Sequence, residues 1–285
     1  MPVRKPPQSA QLYEDLSWKP LSLLVPLLLL IVAIAPPAAA QDNYEIQVYD
    51  SETVPPHNLM MEFHTNYTFE GTKTGQNGLY PTNHALHETL ELTYGFNDFF
   101  ETGFYVFTSA RDGEGWQWVG DHIRPRIRVP EKWHWPVGLA LSSEIGYQRR
   151  QFSVDTWTVE LRPIIDKRIG RWYGAFNPAM EKSLHGANQH KGFEFAPAAK
   201  FSYDVVRQVS VGLEYYGACG PMTGFDPLAQ QQQQFIPAID LNVSEKWEIN
   251  FGVGVGVTRS TDHLLVKTII GYRFSKFPGL GHKQN

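Results

Sequence analysis

The chain has 285 residues, a formal net charge of −4, a mean hydropathy of −0.32 and one cysteine, Cys219. The acidic balance gives no reason to expect a nucleic-acid partner, a lone thiol cannot close an internal disulfide, and the hydropathy argues against a membrane protein built of helices. Aromatic residues at 13%, charged residues at 19% and 24 glycines leave a soluble all-β protein or a transmembrane barrel, whose lipid-facing residues alternate with polar ones and escape a hydropathy average.

The first element is the apolar run LSLLVPLLLLIVAIA at 21–35. Arg4, Lys5 and Lys19 precede it, and APPAAAQDN follows with Ala38 and Ala40 spaced for cleavage after Ala40. The run is shorter than the roughly 20 residues a spanning helix needs. It predicts a secretory signal peptide over 1–40 rather than an uncleaved anchor, and so an exported chain. Residues 41–57, QDNYEIQVYDSETVPPH, are polar and read as a periplasmic lead-in or a short plug.

From there apolar and polar residues alternate to position 274, the period of a strand with two different faces. Strands are predicted at 59–70, 85–95, 99–109, 117–129, 137–148, 156–165, 172–182, 192–203, 208–217, 234–243, 247–257 and 264–274. The alternation is plainest in INFGVGVGVTRS at 249–260. Ile249, Phe251, Val253, Val255 and Val257 share one face, and Asn250, Gly252, Gly254, Gly256 and Thr258 the other. Twelve is the even number that single-chain bacterial barrels require, and strands of about 10 residues cross a bilayer with tilt. Connections near 96–98, 130–136, 166–171, 204–207 and 244–246 read as short turns. Those at 71–84, 110–116, 149–155, 183–191, 218–233 and 259–263 read as mostly longer loops. Aromatics such as Tyr94, Phe99, Phe100, Trp133, Trp135, Trp172, Tyr203, Trp247, Tyr272 and Phe274 fall near strand ends, where an interfacial girdle belongs. The fold class expected is therefore all-β, an antiparallel transmembrane β-barrel of about 12 strands over 58–274, with outer-membrane lipid on the apolar face. A soluble sandwich or lipocalin-like barrel would have to bury the many charges of the polar face, which is costly.

VKTIIGYRF at 266–274 resembles the closing strand of outer-membrane proteins, which implies the barrel-assembly machinery as a partner during biogenesis; SKFPGLGHKQN then trails on as a tail over 275–285. LHETLELTYGFNDFFETGFYVF at 86–107, with the lead-in EIQVYDSETVPP at 45–56, resembles bacterial outer-membrane proteins of the phenol-degradation meta-pathway family, grouped with outer-membrane transporter-like barrels. That resemblance implies passage of small molecules, aromatic or hydrophobic ones among them, and brings no catalytic residues with it.

The polar faces carry the candidate chemistry. Arg124, Arg126 and Arg128 form an inward ladder, with Arg162 on a nearby strand. Guanidinium forks bind carboxylates and phosphates well, so the ladder would line an anion path. The alternative is an internal network in which they pair with Glu91, Glu101, Glu144, Glu160 and Glu181, narrowing or closing the lumen. These nine residues are the expected pore lining. His64, His84, His87 and His122 invite a metal reading, but His84 and His87 are an odd number apart and point to opposite strand faces; no metal site and no cofactor is expected. Ser142, Ser143 and Ser210 occur without a G-x-S-x-G elbow, so no enzyme is expected. The resulting expectation is a channel passing small solutes, anionic or aromatic, with a closed structural barrel displaying its loops as the alternative and a membrane hydrolase third.

Overall fold

A computed structural model describes residues 44–75 and 77–275. The signal peptide expected over 1–40, the first residues of the lead-in and nearly all of the tail lie outside the described residues.

Twelve antiparallel strands form an up-and-down closed barrel in which each strand pairs with its neighbours in sequence and the last returns to the first. They are β1 (Leu59–Glu70), β2 (Leu86–Asn97), β3 (Phe100–Arg111), β4 (Gly115–Arg128), β5 (Gly138–Gln148), β6 (Asp155–Ile169), β7 (Trp172–Gly186), β8 (Glu194–Val206), β9 (Val209–Ala218), β10 (Gln232–Leu241), β11 (Trp247–Gly256) and β12 (Leu264–Phe274). All twelve predicted strands are present; β6 and β7 run about four residues further than their patterns suggested. Closure comes from β1 and β12, in register from Leu59 opposite Phe274 to Thr68 opposite Leu265. A closed ladder leaves no unpaired edge, which is what lets strands cross a bilayer.

The alternation sorts residues as predicted. In β11, Phe251, Val253 and Val255 are 46%, 36% and 45% exposed on the outside, among an apolar surface that also includes Phe63, Phe104, Ile123, Leu141, Phe176 and Leu213. An apolar belt this extensive is the face a bilayer takes. The glycine face looks inward, but it leaves no empty space. A Cβ at Gly252 would lie 2.5 Å from Ile236 Cγ2, because side chains of β10 and β12 already fill the volume.

The ends differ, though less regularly than expected. One end carries the connections 98–99, 170–171, 207–208 and 242–246, and the other carries 71–85, 149–154, 187–193, 219–231 and 257–263. Two connections depart from this pattern. At the loop end β3 and β4 extend to pair Arg111 with Gly115, leaving only 112–114 between them. At the turn end 129–137 is long enough to hold a 3₁₀ turn, Glu131–Trp133. Aromatic clusters ring both ends. Tyr94, Phe96 and Phe100 meet at the turn end, as do Trp172, Phe201 and Tyr203, and Trp247, Tyr272 and Phe274. Trp118, Tyr147 and Trp157 form a second girdle segment toward the loop end.

Candidate functional site

The lead-in is not outside the barrel over its described part. Residues 44–54 run extended through the lumen from the loop end to the turn end, then leave beside Gly95 to begin β1. The exit is tight: a side chain at Gly95 would collide with the carbonyl oxygens of Val54 and Pro55, and backbone bonds His57 N–H to Gly95 O and Gly95 N–H to Asn58 O fix it there. A lone extended segment has no ladder partner, so its buried backbone groups need side chains from the wall. They have them. Asn177 Oδ1 accepts from Tyr49 N at 2.8 Å while its amide donates to Tyr49 O at 2.9 Å. Thr89 donates to Tyr44 O at 2.7 Å, Lys267 donates to Ile46 O at 2.9 Å, and Glu101 accepts from Val54 N at 2.6 Å. Apolar side chains do the rest. Ile46 and Val48 pack with Ala175, Ala198, Ile236 and Leu265, and Tyr44 packs with Tyr105 and Phe107.

Tyr49 is the centre of the charged interior. Its ring lies under three guanidinium groups, those of Arg124, Arg162 and Arg126, at 4.7, 4.9 and 5.5 Å. Its hydroxyl bonds Glu45 and lies 2.9 Å from the hydroxyl of Tyr105, which accepts from Arg124. Arg124 pairs with Glu91 and, at 3.3 Å, with Glu101; Arg126 pairs with Glu101 at 2.7 Å and donates to the backbone of Asp50 and Glu52. Arg162 grips Glu160 with two bonds of 2.6 and 2.9 Å and reaches Glu45 at 3.9 Å. A second network stands on the opposite wall. Lys267 and Lys200 share Glu214, and Lys200 also bonds Asp240 at 2.7 Å.

Of the nine residues proposed from sequence as pore lining, the structure gathers Arg124, Arg126, Arg162, Glu91, Glu101 and Glu160 around the lead-in. Arg128 stands apart at the turn end, 3.8 Å from the exposed Glu131. Glu144 pairs with His122 rather than with an arginine, and Glu181 lies in register between Glu160 and Glu194. The histidines are dispersed: His84 occupies a turn with φ of 57°, His87 meets the ring of Tyr44 edge-on, and His64 faces Glu91. Ser210 donates to Asp204 at 2.7 Å, and Ser142 is paired across the wall with Arg126 and Arg162. Of the two readings of residues 41–57, periplasmic lead-in and short plug, the described part 44–54 fits the plug; the partners it meets in the lumen are what the sequence reading missed. The plug's own signal was present in YEIQV, where Tyr44, Ile46 and Val48 alternate with Glu45 and Gln47 as in a strand.

Among the described residues two cavities stand out, and Gln47 lines both. The one at the loop end has a volume of about 300 Å³ and a mixed lining, in which the rings of Tyr44, Tyr80, Phe107 and Phe152 stand beside charged residues such as Glu144, Glu160 and Arg162. There Arg111 lies 5.1 and 4.9 Å from the rings of Tyr80 and Phe152. The one at the turn end has a volume of about 860 Å³ and is lined mainly by polar and charged residues, among them Glu62, Arg126, Lys200, Asp240 and Glu248.

No protein-family model matches the chain, and no curated protein matches it in sequence. Solved structures share its fold. The barrel superposes on the crystal structure of an outer membrane channel from Pseudomonas putida F1 with a TM-score of 0.52, at 11% identity over 81% of this chain and 100% of that one. The KdgM porin (TM-score 0.49, 9% identity) and the NanC porin (TM-score 0.48, 7% identity) each match 75% of this chain and 99% of their own. At these identities the likeness is one of fold: the chain is built as a closed antiparallel barrel of the kind found in outer-membrane channels.

Proposed function

We propose that the protein is a bacterial outer-membrane channel that passes small solutes down their gradient. The observation that carries this reading is the threaded lumen: an apolar-belted barrel whose interior holds a cavity at each end with the lead-in between them. A narrow passage beside that segment would limit the solute to a small molecule. The nine charged residues Arg124, Arg126, Arg128, Arg162, Glu91, Glu101, Glu144, Glu160 and Glu181 are assigned to the walls of the path. Arg124, Arg126 and Arg162 are already matched by carboxylates and by the ring of Tyr49, so they do not make a free anion ladder. The loop-end cavity, lined by aromatic rings together with acidic and basic side chains, would suit a small solute with an aromatic body and polar groups, in keeping with the resemblance of 86–107 to the phenol-degradation meta-pathway family. This reading assigns no catalytic role to any residue.

The density of the internal network also favours a second reading, a sealed barrel that displays its loops. Single-channel conductance in a planar bilayer separates the two. A channel predicts small discrete openings from the purified protein and larger ones after Tyr49→Ala, which removes the ring beneath the guanidinium groups. Silence from both proteins, each verified as folded by heat-modifiable electrophoretic migration, would mean a sealed lumen.

A further inference from the structure

The strip of wall where β1 meets β2 holds three ligand-type side chains, of which Glu91 also takes part in the network around the lead-in. Glu62 and His64 are two residues apart on β1 and share its inner face. Glu91 lies directly across from Glu62 on β2. One donor atom from each of the three falls within 4.8 Å of the other two. The residues are buried, at 6%, 0% and 0% exposure for Glu62, His64 and Glu91. Buried polar atoms are nearly always hydrogen-bonded. Here Glu62 Oε1, Glu91 Oε2 and both ring nitrogens of His64 have no hydrogen-bond partner. His64 Nε2 stands 3.4 Å from Glu91 Oε2, an ion pair when the ring is protonated. Glu91 turns its other oxygen to Arg124 and Thr93, which fixes the carboxylate and leaves Oε2 facing the gap.

The surrounding charge points the same way. Glu248 belongs to the same cross-strand row as Glu62, with only Gly271 between them. Glu62 and Glu91 thus face each other across the β1–β2 pair with Arg124 on Glu91 and the exposed Glu248 beyond Gly271, and two buried carboxylates this close call for a further cation or proton.

We propose that Glu62, His64 and Glu91 form a divalent metal site in the barrel wall, with Zn²⁺ as the ion that the donor set suits. One imidazole and two carboxylates with an open fourth position fit Zn²⁺, whereas Mg²⁺ and Ca²⁺ take shells made of oxygen. Donors around a tetrahedral zinc lie roughly 3.4 Å apart, so modest side-chain turns close the set. The ion has a way in, because Glu62 lines the large cavity at the turn end. Bound there it would clip β1 to β2, one strand from the seam where the barrel closes. The proposal does not depend on whether the lumen conducts.

The test is equilibrium dialysis of Zn²⁺ against the untagged, chelator-stripped protein in detergent, with bound metal counted by mass spectrometry. One ion per chain is expected, with affinity falling about tenfold or more in Glu62→Gln and in His64→Gln. Electrophoretic migration reports whether each variant has folded. X-ray absorption at the zinc edge of the wild-type protein reads the site without any variant; a nitrogen–oxygen shell containing one imidazole is expected. No retained ion, retention equal in both folded variants, or a shell without imidazole would overturn the assignment.

Discussion

Arg124 and Arg128 sit four residues apart on β4 and point the same way, yet their surroundings are opposite. Arg124 is 2% exposed and stands between the buried carboxylates of Glu91 and Glu101. Arg128 reaches only Glu131, whose side chain is 81% exposed. Removing one partner of a buried ion pair leaves the other charge stranded at about 3–5 kcal/mol, while exposed pairs contribute about 0–1 kcal/mol. Arg124→Met should therefore lower the unfolding free energy of the refolded barrel by several kcal/mol, and Arg128→Met should leave it nearly unchanged. Urea titration in detergent measures both, and equal losses would show that the pairing is not what holds Arg124. Tyr49 belongs to the same calculation. Its ring meets three guanidinium groups, and such contacts grow stronger when desolvated, so the lead-in and the charged wall stabilise each other.

Strands and lead-in are built on different rules. In β11 the period of two sends every second residue to lipid, and Phe251 near its middle is 46% exposed on the apolar side. Phe251→Arg should destabilise the barrel by about 2–4 kcal/mol, the cost of a cation on the lipid face near mid-membrane. Asn250→Ser, on the inner face, should do less harm. Unfolding in lipid vesicles compares them; a milder effect for Phe251→Arg would place that face away from lipid. β7 shows why one strand reads weakly from its pattern. Its Pro178 stands opposite Pro197 of β8, and proline gives the ladder no N–H. The neighbouring residues keep both registers, so the strand persists. The lead-in has no ladder at all, and Asn177, Glu101, Thr89 and Lys267 stand in for one.

Closure is a property of the full circle. β12 bonds both β11 and β1, ending with Leu59 opposite Phe274, and every strand of the wall ends at or before Phe274. A chain stopped after Ser275 should still fold to a heat-modifiable barrel. A chain stopped before Leu264 should not, because β1 and β11 would each keep an open edge. Gel migration after refolding distinguishes these outcomes. Failure of the longer chain would mean that the last ten residues contribute to folding itself. The apolar belt, the two aromatic girdles and the closed ladder together make the barrel a membrane-spanning object, while the filled interior determines what it would let through.

The strand number, the facing of nearly every residue and the lipid-facing belt were legible in the sequence because a strand's period is local. Two neighbours suffice to reveal it, and Ile249 to Val257 needed nothing else. The partners of the inward charges were not legible. Arg124 and Arg162 lie 38 positions apart and meet over the ring of Tyr49 on the inner side of β4–β6. The same holds for Lys267, which reaches back to the carbonyl of Ile46, and for the partners of the lead-in, which the sequence offered as a short plug without saying what it would touch. Glu62, His64 and Glu91 became one cluster only through register, since nothing in the order of residues says that Glu62 will stand opposite Glu91. Local periodicity tells a residue which side of the wall to face; only closure of the barrel around the lead-in decides what it meets there.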